Sequence, residues 1–461
     1  MTTGFADVLI GLQYGDEGKA RVVDYLANNY DIIARFNGGA NAGHTIETKE
    51  GGKVALNQIP SAIFYPDKIL YIGSGCVVNM EKLAAEITKV ESLGVKLRGR
   101  LKVSCQASII QPHHLYLDVL IGKGVGSTKN GIGPCYADKA FRMDGEQLLN
   151  IRLGDLMEDP EKYFSIIEKN LENSIEKHKL EVPNPTEELQ KLKENFNAIK
   201  DCIELDTLYI QKKVESGAKV LFEGAQAVML DVTKGSVPYV TSSSTIAAAA
   251  FSGGDLSPEY HRKTIGIAKA VMSRVGHGPF ASELGGAKSE EYCMSEDGTK
   301  YTRDIEAGYD LEKMIGSEDE FEVGKAMRIL SGEYGTVTKR PRRVGNFDLV
   351  QLNYAIKMNG VSELVINKCD ILREYSRTAK NKIPVVASYE LHGEKIDYVP
   401  GSVSSYYKVK PVLEDLESFD QDITTLKDFD SLPQALKNFL SKVQAHCNCK
   451  VMGIGVGPER E

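Results

Sequence analysis

Two short stretches near the start of the chain carry residues whose types and spacing suit phosphate chemistry. GLQYGDEGK occupies residues 11–19. Its glycines let the backbone turn successive N–H groups toward an anion, and a helix starting there would add the fractional positive charge of its N-terminus. Lys19 supplies a full positive charge. Asp16 and Glu17 sharpen the reading. Phosphate repels a carboxylate unless a metal ion bridges the two or the carboxylate takes a proton from a substrate. NGGANAGHT, residues 37–45, ends in His44, which at a transferred phosphoryl group would donate a hydrogen bond or proton as charge develops. Taken singly, the first stretch also suits a glycine turn with a surface charge cluster, and a lone histidine is more often structural.

These loops need elements to position them. An apolar run at 7–12 reads as a strand, 19–28 as a helix and 31–36 as a second strand, which is the opening of an α/β fold. Runs at 68–72, 219–222, 362–367 and 449–454 read as further short buried strands, with segments of helical period between them. Residues 155–215 differ: Tyr163, Phe164, Ile167, Leu171 and Ile175 recur at helical spacing among Glu and Lys, and Pro183-Asn184-Pro185 breaks the pattern. The expectation is one large α/β domain over residues 1–461. Its central sheet is mostly parallel and flanked by helices and smaller helical and loop subdomains, with a charged helical excursion at about 155–215.

At 461 residues the chain can bury a sizeable core, and its 42% hydrophobic and 26% charged residues are ordinary for a globular protein. A net charge of -8 argues against a role in coating nucleic acid or anionic membrane, so any phosphate site must be a local concentration of positive charge. No stretch has the length or apolarity of a signal peptide or membrane span, and the eight cysteines follow no framework, which points to a reducing cytoplasm. His446-Cys447-Asn448-Cys449 lacks the second ligand pair of a zinc site.

The first two blocks, followed in order by GIGPCYADKAFR (131–142), FEGAQAVMLDVTKGSVPYVTSSST (222–245), SRVGHGPFASE (273–283), RPRRVGNFDLV (340–350), INKCD (366–370) and GVGPER (455–460), resemble the adenylosuccinate synthetase family almost to the C-terminus. The resemblance implies a GTP-dependent ligase that joins L-aspartate to C6 of IMP through a 6-phosphoryl intermediate. It implies Asp16 as the base at N1, with His44, Lys19 and Gln226 also in catalytic places. Asn41, Thr128, Arg142, Gln226, Thr241 and Arg340 would hold IMP, with Arg142 reaching the neighbouring site of a homodimer. Gly15, Glu17, Gly18, Lys19, Gly43, Thr45, Arg342, Lys368, Asp370, Gly455 and Gly457 would hold GTP. Thr338, Arg340 and Arg342 would take the amino acid, and Mg2+ would sit on the Asp16 carboxylate and the Gly43 carbonyl. In INKCD a carboxylate can accept from both N1–H and the 2-amino group of guanine, which adenine cannot offer, so GTP is expected ahead of ATP.

The chain departs from the family pattern at Ala20, Arg21, Lys129, Asn130, Ala227, Ser244, Val337 and Lys339. Lys129 and Lys339 replace glycines, in the loops expected for IMP and for aspartate. Two other readings therefore stand beside the orthodox ligase. One is a relative forming the same C6–N bond on another purine nucleotide (a deoxy or 2-amino form) or with another amino acid. The other is a nucleotide-binding paralogue without activity, against which Asp16, Lys19 and His44 argue.

Overall fold

The computed structural model describes residues 4–47, 53–122, 127–335 and 339–457. The strands expected from apolar runs are found as Phe5–Gly11, Ile32–Arg35, Ile69–Ile72, Lys219–Glu223, Val361–Asn367 and Lys450–Ile454. The first helix is Lys19–Leu26, closed by a 3-10 turn at Ala27–Asn29. The structure adds the strands Leu101–Ser104, Ile203–Glu204 and His261–Lys269. The last opens on the exposed or half-buried His261-Arg262-Lys263, so polar residues mask its buried continuation in the sequence.

The fold divides into two compact units, each assembled from separated stretches. The first comprises Met1–Ile10, Lys19–Gln226 and Thr241–Lys263; the second comprises Gly11–Gly18, Ala227–Val240 and Thr264–Glu461. In the first unit six strands pair in parallel, in the order Ile203–Glu204, Leu101–Ser104, Ile69–Ile72, Ile32–Arg35, Lys219–Glu223, Phe5–Gly11. Parallel strands are covered on both faces, which explains the unbroken apolar runs; all four residues of Ile32–Arg35 are buried. The charged segment forms the helices Pro160–His178 and Pro185–Ile199. Each starts on a capped Asp-Pro or Asn-Pro step: the side chains of Asp159 and Asn184 accept from Lys162 N–H and Glu187 N–H. Phe164 and Phe196 meet edge to face, with centroids 5.9 Å apart, and Ile167 and Leu171 are buried. Each such burial contributes about 1.5–3 kcal/mol.

In the second unit His261–Lys269, Val361–Asn367 and Lys450–Ile454 pair in parallel. A second sheet is built on Lys382–Leu391, with Phe347–Asp348 parallel to it and Glu394–Ile396 and Lys410–Glu417 antiparallel. Its core includes Tyr14, Met272, Phe280, Val350, Val386, Tyr389 and Tyr406. Among the described residues no helix is long and apolar enough to cross a membrane.

Candidate active site

The loop after the first strand is shaped by its own side chains. Glu17 is buried and folds back, accepting from Gly15 N–H at 2.8 Å and Gln13 N–H at 3.2 Å. Gln13 in turn clasps the backbone of Lys269 in both directions, at 3.1 Å each way. Glu17 is therefore a brace inside the turn. Gly15 and Gly18 both take positive φ, and a Cβ on Gly18 would lie 2.8 Å from the Asn367 side chain. Asp16 is also left-handed, at φ 57°, which leaves its side chain 45% exposed and 2.7 Å from Arg342 Nη2. Its surroundings alone would raise its pKa, but the Arg342 guanidinium and the Lys269 ammonium outweigh them and hold the carboxyl below its ordinary range.

Next to this loop in the same unit lies a buried ionic cluster that the sequence did not disclose. Glu333 accepts from Lys269 at 3.0 Å, from Ser273 Oγ at 2.6 Å and from Lys368. Lys269 also donates to Ser273. Burial alone would push Glu333 up; the two lysines bring it well below the usual carboxylate range. Burial pushes the Lys269 ammonium down, against the pull of Glu333. The backbone carbonyl of Glu333 takes Arg342 N–H at 3.0 Å, and Arg340 O accepts from Gly335 N–H at 2.8 Å. The only sequence signal was position, a glutamate just ahead of the arginine loop.

The turn at 366–370 is tied to the phosphate loop directly. Asn367 Nδ2 donates to Glu17 O at 2.6 Å. Lys368 sits at φ 59° and its ammonium donates to Ser331 O at 2.7 Å as well as to Glu333. Cys369 N–H donates to Gly455 O, and Gly455 N–H to Ile366 O. A Cβ on Gly455 would lie 2.6 Å from Asn367 Oδ1, so only glycine fits there without a shift. Asp370 is half-buried, and Gly457 packs near Thr424. Gly15, Asp16, Glu17, Gly18, Arg340, Arg342, Lys368, Asp370, Gly455 and Gly457 thus all fall in the second unit.

The other expected residues, Thr338 apart, fall in the first unit. Lys19 is buried at the first position of its helix. Asn41 and Gln226 converge on Gly38: a Cβ there would lie 3.6 Å from Asn41 Oδ1 and 3.1 Å from Gln226 Oε1. Gln226 is held at φ 55°, and its buried Oε1 has no hydrogen-bond partner among the described residues. Around it Asn37 clasps Ala225 and reaches Ser243, and Tyr136 takes Gly38 N–H and donates to Gly75 O. Ser242, beside Thr241, approaches Gly133. Thr128 is exposed and accepts from Asn130 at 3.1 Å, while Asn130 accepts from Lys82. Arg142 ends the helix Ile132–Phe141 at φ 68°, exposed beside the exposed Phe141 and Met143. Gly43 is exposed with open space around it. The side chains of His44 and Thr45, and Val337 and Thr338 entirely, lie outside the described residues. Of the departing lysines, Lys339 is left-handed and pairs with Asp304 at 2.7 Å; Lys129 is exposed, also at positive φ.

Among the described residues, His113, His114 and Asp138 have the spacing of a metal site. Their hydrogen bonds exclude it. Gln111 N–H donates to His114 Nδ1 at 3.0 Å, so the ring hydrogen is on Nε2, where it meets Asp138 at 2.9 Å. Burial pushes His114 down to about 4, keeping it neutral, and neither ring nitrogen has a lone pair left for an ion.

The family model for adenylosuccinate synthetase matches residues 8–461. The chain belongs to the adenylosuccinate synthetase family. It is 43% identical to adenylosuccinate synthetase 2 of Cupriavidus pinatubonensis, over 99% of this chain and 96% of that one. It is 37% identical to the adenylosuccinate synthetase of Lactobacillus gasseri, over 99% and 97%. The fully ligated adenylosuccinate synthetase of Plasmodium falciparum has the same fold, with a TM-score of 0.83 at 31% identity over 99% of this chain and 98% of that one. A succinoaminodeoxyadenylate synthetase of cyanophage S-2L shares the fold alone, with a TM-score of 0.59 at 19% identity over 100% and 94%. The family comprises GTP-binding C–N ligases of purine biosynthesis, and neither the divergent nor the inactive reading is favoured by these matches.

Proposed function

We propose that the chain forms adenylosuccinate, GDP and phosphate from IMP, GTP and L-aspartate. The observation that carries the reading is the Asp16–Arg342 pair on the glycine loop, set in a chain whose family membership extends over nearly its whole length. Asp16 removes the proton from N1 of IMP, and the resulting 6-oxyanion attacks the γ-phosphorus of GTP, with GDP leaving. The aspartate amine then attacks C6, and the former 6-oxygen departs with the phosphate. Positioning and charge neutralisation supply most of such a phosphoryl transfer.

Arg342 holds Asp16 ionised, which leaves the oxygen open to a proton but makes it a weak base. An incoming anion, the aspartate carboxylate or a phosphate oxygen, competes for Arg342 and lifts the basicity of Asp16 when the purine is in place. Arg340 and Arg342 hold the amino acid together with Thr338. Asn41, Thr128, Gln226, Thr241 and, from a second copy of the chain, Arg142 hold IMP; the Gln226 Oε1, buried with no partner among the described residues, suits that role. Lys368 and Asp370 read guanine, with Gly455 and Gly457 beside it. Lys19, Thr45 and the loop glycines carry the phosphates, and His44 serves the transferring group.

Mg2+ would be held by the Asp16 carboxylate, ionised and part-exposed, and by the Gly43 carbonyl, hard oxygens of the kind it prefers. Bound there, it would neutralise phosphate charge. The cytoplasm is the proposed compartment.

The reading is tested with IMP carrying heavy oxygen at C6. The label should appear in the released phosphate, only when GTP and L-aspartate are both present. Phosphate released without label would rule out the 6-phosphoryl route.

A further inference from the structure

We propose that Glu333 is a positioning residue for the nucleotide base: it anchors Lys368 and, through Lys269, Ser273 and its own backbone, ties the guanine-reading turn to the Asp16 loop. The inference rests on the proposed role of Lys368 in holding GTP.

Glu333 is 3% exposed and meets two ammonium groups and one hydroxyl. Lys269 is fully buried, whereas the Lys368 side chain is 33% exposed. A cation on a four-carbon stem points its head to water unless something holds it inward. Glu333 and Ser331 O hold this head. With its head held there, Lys368 can offer its methylene stem as an apolar surface on which a flat base rests. From the same residue, the carbonyl of Glu333 fixes Arg342 N–H, and Arg342 is the partner of Asp16. Asn367 makes the second tie, to Glu17 O. One buried residue thus fixes both, its carboxylate holding the guanine turn and its backbone carbonyl the arginine paired with Asp16.

Charge makes the arrangement sensitive. Glu333→Gln keeps the size but leaves two cations facing each other without their anion. Lys368, the more exposed of the two, turns outward, and the base loses its platform.

The test uses purified full-length protein and a fluorescent GTP analogue, with wild-type turnover measured alongside. Glu333→Gln should weaken binding of the analogue by about tenfold or more and raise the KM for GTP in parallel, with the KM for IMP within about twofold of wild type. Glu333→Asp, which keeps the charge at a shorter reach, should fall between. A merely structural role would lower kcat through loss of folded protein and leave the KM for GTP unmoved; that result overturns the proposal. If Glu333→Gln does not fold, Glu333→Asp and Ser273→Ala carry the test, and wild-type affinity in both overturns it equally. Wild-type protein that binds no GTP analogue would instead refute the proposed function, and this inference with it.

Discussion

At Asp16 an ionised carboxylate lies 2.7 Å from Arg342, on a residue held in the left-handed region by the turn around it. The charge and the geometry matter more than the size. Asp16→Asn should keep the fold and nucleotide binding but lower turnover by about 10²–10⁴-fold, the usual worth of a positioned base. Near-normal turnover, by phosphate release from protein with an unchanged circular dichroism spectrum, would remove Asp16 from that role. Asp348 presents the opposite case. It caps the helix Leu349–Asn359 through Gln351 N–H at 2.9 Å and accepts from Tyr389 at 2.6 Å, and burial pushes it up to about 6. A raised acid favours the folded state in its protonated form. That contribution is complete below the unfolded value of about 3.9 and is lost as pH rises through about 6. Asp348→Asn caps equally well and does not titrate. The melting temperature of the wild type should therefore fall relative to this variant between roughly pH 4 and 7; parallel profiles would show that Asp348 does not titrate in that window.

The glycine loop, the 366–370 turn and the 455–457 segment interlock through backbone and amide groups. Gly455→Ala places a methyl 2.6 Å from Asn367 Oδ1, so it should loosen the Asn367–Glu17 bond and weaken GTP binding, by about 1–3 kcal/mol if the strain resembles core overpacking. Titration with a GTP analogue measures this; wild-type affinity would mean the turn yields freely. The same elements show what the sequence could disclose. Loops 11–19 and 37–45, the apolar runs and the Pro183-Asn184-Pro185 break were legible because each rests on local spacing. Glu333, Lys269 and Ser273 were not, because a buried charge cluster is assembled from residues far apart in the chain, each of which reads alone as an exposed polar residue. The Glu17 brace was hidden for another reason: the sequence offered two acids in a phosphate turn, and only the fold shows one turned inward and the other out.

For the molecule as a whole, Arg142 is exposed beside exposed Phe141 and Met143, and its proposed place is the site of a second copy of the chain. If sites are shared, Arg142→Leu and Asp16→Asn subunits, each inactive alone, should regain about a quarter of wild-type activity when mixed in equal amounts, since half the dimers are hybrids with one intact site. No recovery on mixing would place Arg142 in its own subunit's site. The reaction itself is read most directly by absorbance in the purine band with protein, IMP, GTP, Mg2+ and L-aspartate. A spectral change should appear that requires every component and stops when any one is withheld. No change, from folded protein that binds GTP, would contradict the proposed reaction.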